Sequence, residues 1–190
     1  TARLAELGFE QPGRVWQRLR EFHEGALYRR MSASTQSRVD RLVPRLLELA
    51  TRFEHPGQTL ERLAQVLESI GRRESYLALL IEYPVALERL AALAAASPWA
   101  ADYLSRHPVL LDELISSQAF ETPDWAVLAT QLARELDGAE GNVERQMEIL
   151  RHFKQVQTLR LLTQDLSGTL PLEKLSDHLS DLASLILREV

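Results

Sequence analysis

LRHFKQVQTLRLLTQDLSGTLPLEKLSDHLSDLASLIL, residues 150–187, decides the fold class of this chain. Leu150, Phe153, Val156, Leu159 and Leu162 recur every three residues in its first half; Leu175, Leu179, Leu182 and Ile186 recur every three or four in its second. About 3.6 residues make one helical turn, so each set lies along an α-helix. Ser167-Gly168 is a stop signal between the two helices. Upstream, Asn142 is a side-chain cap for a first helix running from Val143 to about Asp165.

The same period extends outward. Leu42, Leu46, Leu49 and Phe53 share a face, and so do Leu60, Leu63, Leu67 and Ile70, with Gly71 as the expected stop. Pro84, Pro98, Pro108 and Pro123 each precede a new apolar run. Proline suits a first helical turn because the N–H it lacks has no partner there anyway. Ser97 is the expected cap before Pro98. Short helices of two to four turns are therefore expected from Arg73 to Ile115. YPVALERL (83–90) is echoed by HPVLLDEL (107–114), which implies two short helices packed in equivalent ways. Residues 116–124 and 137–142 (DGAEGN in the second) read as loops, and the second is the expected division of the chain into 1–137 and 138–190. No stretch alternates long enough to make a strand. The class is all-α: an array of short and medium helices ending in two longer amphipathic ones.

Of the 190 residues, 45% are hydrophobic and 26% charged, the balance of a folded domain. Twenty-seven Asp and Glu outweigh 22 Lys and Arg, for a net charge of -5, which argues against nucleic acid as the main partner. Arg14, Arg18, Arg20, Arg29, Arg30, Arg38, Arg41 and Arg45 crowd the N-terminal quarter, either as solvated helix faces or as a patch for an acidic partner. There is no cysteine, hence no disulfide or thiolate site, in keeping with a cytoplasmic protein. No apolar run nears the roughly 20 residues that would span a membrane. No sustained heptad seam appears, so a monomer is expected. The start TARLAELGFE and the end SLILREV both read as cuts within a longer polypeptide.

Chemistry is sparse. His23, His55, His107, His152 and His178 never stand at paired helical spacing, so no zinc face is expected. His107 reads as a helix-start residue. Asp177 and Asp181 lie one turn apart near a helix start, where the helix dipole accounts for them better than magnesium does. The long helix carries the charges that look placed: Arg151, Lys154, Arg160 and Asp165. They read as the margins of an amphipathic helix or as groups that order a catalytic loop from behind. The chain has no Gly-Ser turn and no D-x-D pair, the parts with which a polymerase-like nucleotidyltransferase holds its triphosphate and magnesium. No catalytic, cofactor or metal residue is assigned.

HPVLLDELI, residues 150–168 and residues 170–187 are similar to consecutive pieces of the bifunctional glutamine synthetase adenylyltransferase/adenylyl-removing enzyme family. LAELGF, RLVPRLLELA and the stretch from Leu63 to Leu104 fit more loosely, in the same order. The most specific wording is Arg151, Phe153, Lys154, Leu159, Arg160, Asp165 and Gly168, followed by Ser176-Asp177-His178-Leu179. Leu161 stands where the family usually has Ile, Thr163 and Gln164 stand in place of small residues, and DGAEGNVERQ is less acidic than expected.

The resemblance implies a parent enzyme with two nucleotidyltransferase domains using ATP and Mg2+. One half would place AMP on a tyrosine of glutamine synthetase and the other would remove it by phosphorolysis, with glutamine and the PII signalling protein setting the balance. This chain would be the central connector plus the opening helices of the C-terminal half, without the catalytic loop. Arg72, Arg73, Arg151 and Arg160 would be candidates for a glutamine carboxylate. A self-contained helical interaction scaffold, unrelated to nucleotidyl transfer, is the alternative.

Overall fold

The computed structural model describes residues 1–116 and 121–189 and contains no strand among them. The helices are α1 (Ala2–Glu6), α2 (Pro12–Glu24), α3 (Ala26–Arg29), α4 (Ala33–Ala50), α5 (Pro56–Ile70), α6 (Glu74–Glu82), α7 (Pro84–Ala96), α8 (Pro98–Arg106), a 3-10 helix (Pro108–Leu114), α9 (Trp125–Asp137), α10 (Val143–Leu166) and α11 (Leu172–Glu189). The all-α expectation is met. The chain divides into two compact units, 1–115 and 116–190.

In the first unit, prolines set the helix starts. Pro12, Pro56, Pro84, Pro98 and Pro108 each occupy a first turn. Gln11, His55, Tyr83 and His107 before them share one backbone shape, with φ of -124, -121, -115 and -127°. Proline closes the helical region to the residue before it, and this is the shape left over. Ser97 instead caps α8 by accepting from the Ala100 N–H. Pro44 stands inside α4 and exposed. A mid-helix proline costs about 3 kcal/mol, which burial of Val39, Leu42, Leu46 and Leu49 on the opposite face offsets.

The core gathers around α5, which packs most closely on α8 and α7. Leu63, Ile70, Leu90, Leu104, Leu110, Leu111 and Leu114 are almost wholly excluded from water there. Gly71 follows α5 as expected, but its backbone stays right-handed (φ -59°). A Cβ at this position would fall 2.6 Å from the Met31 Cε, the end of a flexible side chain that can move aside, so neither a left-handed turn nor close packing demands glycine here.

The echo holds in burial but not in helix type. Leu87 and Leu90 of α7 match buried Leu111 and Leu114 of the 3-10 helix, while Val85 and Val109 are both exposed. Arg89 ties the two together by donating to the Leu114 carbonyl at 2.7 Å.

Glu74, the first residue of α6, clasps α4. One carboxylate oxygen accepts from the hydroxyls of Ser32, Ser34 and Thr35, the other from Arg38. These bonds, the hydroxyls first, hold its carboxyl down to about 2 from a usual 4.5. A depressed carboxylate stabilises the fold above the unfolded-state value and loses that contribution as pH falls toward the folded one. The thermal midpoint of this unit should therefore drop between about pH 4.5 and pH 2. Glu74→Gln should lower the midpoint at neutral pH and flatten that acid dependence, as calorimetry across pH would show.

The second unit is α9, α10 and α11 packed on one another. Leu132, Leu136, Ala139, Ile149, Leu150 and Leu185 form its core cluster, with Phe153 against it. The compact units part at 115/116. Ala139 is buried in the cluster and Gly141 turns the chain at φ 79°, so residues 138–142 close a helical hairpin within the second unit. Of the loop expected over 116–124, residues 117–120 lie outside the described residues; Asp124 closes it by capping α9 through the Ala126 and Val127 N–H groups.

Candidate functional site: the charged edge of α10

α10 starts and stops where the sequence places it. Asn142 accepts from the Arg145 N–H at 3.0 Å. Past the far end, Gly168 takes φ 70° and lets the N–H groups of Thr169 and Leu170 return to the Gln164 carbonyl. Between these ends the helix is not one-sided. Val156, Gln157, Leu159, Leu161, Thr163 and Gln164 are all buried, a spread that covers most of its circumference. The Thr163 hydroxyl donates to the Leu159 carbonyl, and the Gln164 amide donates to the Glu121 carbonyl at 2.8 Å. The two residues that depart from the family wording are therefore buried and hydrogen-bonded.

The charges noted in the sequence separate into two sides. Arg151 and Lys154 are exposed and three residues apart, and Asp165 follows Arg151 by about four turns, which returns it to the same edge. Arg160 comes about two and a half turns after Arg151 and so points away from that edge. It is half-buried. Arg160 and Asp165 do not pair with each other among the described residues.

The other two candidates lie elsewhere. Asp177 is on exposed α11, near Lys174 at 3.8 Å. His107 is in the first unit, between α8 and the 3-10 helix, where burial and then Arg106 lower its pKa. It stands edge-on to Tyr103, which stacks on Trp99 at 4.8 Å. Among the described residues, no group of three or more His, Asp or Glu is placed to hold a metal ion.

Sequence reasoning missed one contact that orders this region. The Trp125 indole N–H donates to the His178 Nδ1 at 2.9 Å and ties α9 to α11. The two residues are 53 apart, so no local spacing could reveal the pair. On α11, Leu182 and Leu185 are buried and Leu175, His178 and Ile186 half-buried, while Leu179 of the expected stripe is exposed. His178→Ala should destabilise the second unit by about 1 kcal/mol, the net worth of one such bond. Urea titration followed by tryptophan fluorescence would measure it.

The arrangement defines a class: a two-unit, all-helical segment with a charged helix edge and no Gly-Ser turn or D-x-D pair to hold a nucleotide. Residues 87–190, more than half of the chain, match the family model described as glutamate-ammonia ligase adenylyltransferase, and the chain belongs to that family. It is 48% identical over 186 residues, 97% of its length, to the bifunctional glutamine synthetase adenylyltransferase/adenylyl-removing enzyme of Chromobacterium violaceum. The enzymes of the same name from Nitrosomonas europaea and Neisseria meningitidis are 47% and 44% identical over 98% and 97% of the chain. The chain spans 21% of each of these relatives.

Proposed function

We propose that these residues are a non-catalytic regulatory segment of an enzyme that adenylylates and deadenylylates glutamine synthetase. What carries this reading is near-complete alignment to bifunctional enzymes of that name over a fifth of their length, in a stretch with no Gly-Ser turn or D-x-D pair. The first unit acts as the connector. The second supplies, from about residue 138, the opening helices of the C-terminal nucleotidyltransferase half. ATP and Mg2+ are used by the catalytic halves, outside this chain. Glutamine synthetase is the substrate protein; PII and glutamine are the effectors whose signal the helices pass on; the setting is cytoplasmic, and the segment itself is monomeric.

Helical arrays suit such work because packed helices shift against one another as bodies and bias distant sites. Exposed Arg151 and Lys154 are free to meet another part of the enzyme or an effector carboxylate. Two measurements test the reading. The 190-residue chain alone should transfer no AMP from ATP to glutamine synthetase. In the full-length polypeptide, Arg151→Ala with Lys154→Ala should change the glutamine-dependent balance of the two reactions by roughly tenfold, within the usual range of coupling between sites. AMP incorporation by the chain alone, or an unchanged balance in the double variant, would overturn it.

A further inference from the structure

The apolar arc of α11 is about twice as wide as the second unit uses. At about 100° per residue, Leu175, His178, Leu182 and Leu185 form one side, and these are the residues turned inward. Directly beside them runs a second row, Leu172, Leu179, Ala183 and Leu187. Leu172 is 74% exposed, Leu179 45% and Leu187 76%. Trp16 on α2 and Val127 on α9 are, by contrast, the one large exposed apolar residue of their helices. The remaining side of α11 is polar: Glu173, Asp177, Ser180, Asp181 and Ser184. Ser176 interrupts the second row and Glu189 the inward side near its end, but the helix otherwise separates polar from apolar residues and leaves about half of its apolar side in water.

We infer that the Leu172–Leu179–Ala183–Leu187 row of α11 is an intramolecular docking face, covered in the full-length polypeptide by an apolar surface lying outside these 190 residues. Length supports this occupant, since the relatives carry about four-fifths of their chain beyond the matched stretch. The size of the row does so too. Fifteen residues of helix are about 22 Å long, and one short helix seam falls below the roughly 800 Å² per partner of a stable association between separate molecules. A tethered partner needs far less, because it is present at an effective concentration of about millimolar. Charge disfavours an anionic bilayer as the occupant: α11 carries Glu173, Asp177, Asp181 and Glu189 against Lys174 and Arg188. The inference rests on family membership and length, and not on the regulatory role proposed above.

The chain has no cysteine, which makes the test direct. Leu179→Cys and Ala183→Cys would be placed on the row and Ser184→Cys on the polar side, in the 190-residue chain and in the full-length polypeptide. Maleimide labelling would be followed site by site by mass spectrometry. The two row cysteines should label at least tenfold more slowly in the full-length polypeptide, and Ser184→Cys equally fast in both. Equal rates at all three sites would overturn the inference. So would protection of the row in the 190-residue chain that grows with concentration, which would make a second copy the occupant. Activity plays no part in the readout, so failure here is distinguishable from failure of the proposed function.

Discussion

Leu90→Ala should destabilise the first unit by about 2–5 kcal/mol, the range for emptying a buried leucine site that cannot fully collapse. Leu90 is 1% exposed, on the face of α7 that packs toward α5 and the 3-10 helix. Its counterpart in the echo, Leu114, is wholly buried and should behave alike. Val85→Ala and Val109→Ala shorten side chains that are 50% and 39% exposed and should each change stability far less, by about 0.5 kcal/mol. Denaturant unfolding of the four variants checks the pattern. The two leucines must be costly and the two valines nearly silent; a costly valine would mean that the paired burial has been misread. Mutating both leucines should cost less or more than the sum, because the α7 face and the 3-10 helix share neighbours.

The second large effect is on α11. Leu185→Asp should unfold or severely loosen the second unit, at a cost of about 3 kcal/mol or more. About 2–5 kcal/mol comes from the lost leucine, and a further 1–3 kcal/mol from a carboxyl without partners among apolar neighbours. Those neighbours are Leu132, Leu136, Ile149 and Leu150. Leu187→Asp, two residues on, should leave the 190-residue chain nearly unchanged, because that side chain already stands in water. Circular dichroism and hydrogen exchange on both variants separate the cases. Loss of protection in α9 and α10 is expected for Leu185→Asp alone. If Leu187→Asp were equally damaging, the assignment of the inward side of α11 would be wrong.

That assignment shows where local reading stops. Leu175, Leu179, Leu182 and Ile186 form a good stripe by spacing, and the helix is there. The inward side is nevertheless turned by part of a turn toward Leu185 and His178, which meet the α9–α10 cluster and Trp125. On a helix whose apolar residues cover more than half the circumference, several faces satisfy the period equally well. Only the partner selects one. Gly71 makes the same point: its position after α5 is legible, but the right-handed backbone it adopts there is not.

The candidate site was legible only as a set of charged residues. Arg151, Lys154, Arg160 and Asp165 are close in sequence, yet helical geometry sends Arg160 to the other side, and His107 belongs to a different unit. The Glu74 clasp on Ser32, Ser34, Thr35 and Arg38 spans 36 to 42 residues, and nothing in either segment points to the other.

What the sequence determined by itself was local in its physics. Periodicity made the helices, proline and its restriction on the preceding residue set their starts, and Ser97, Asn142 and Gly168 bounded them through single hydrogen bonds or one backbone angle. Those interactions act within about four residues, so adjacent letters are enough to state them. The tertiary structure decided which face of each helix is inside, where the chain divides into units, and which charges meet. These depend on surfaces brought together from positions far apart, and the free energy of burial is assigned only when those surfaces touch.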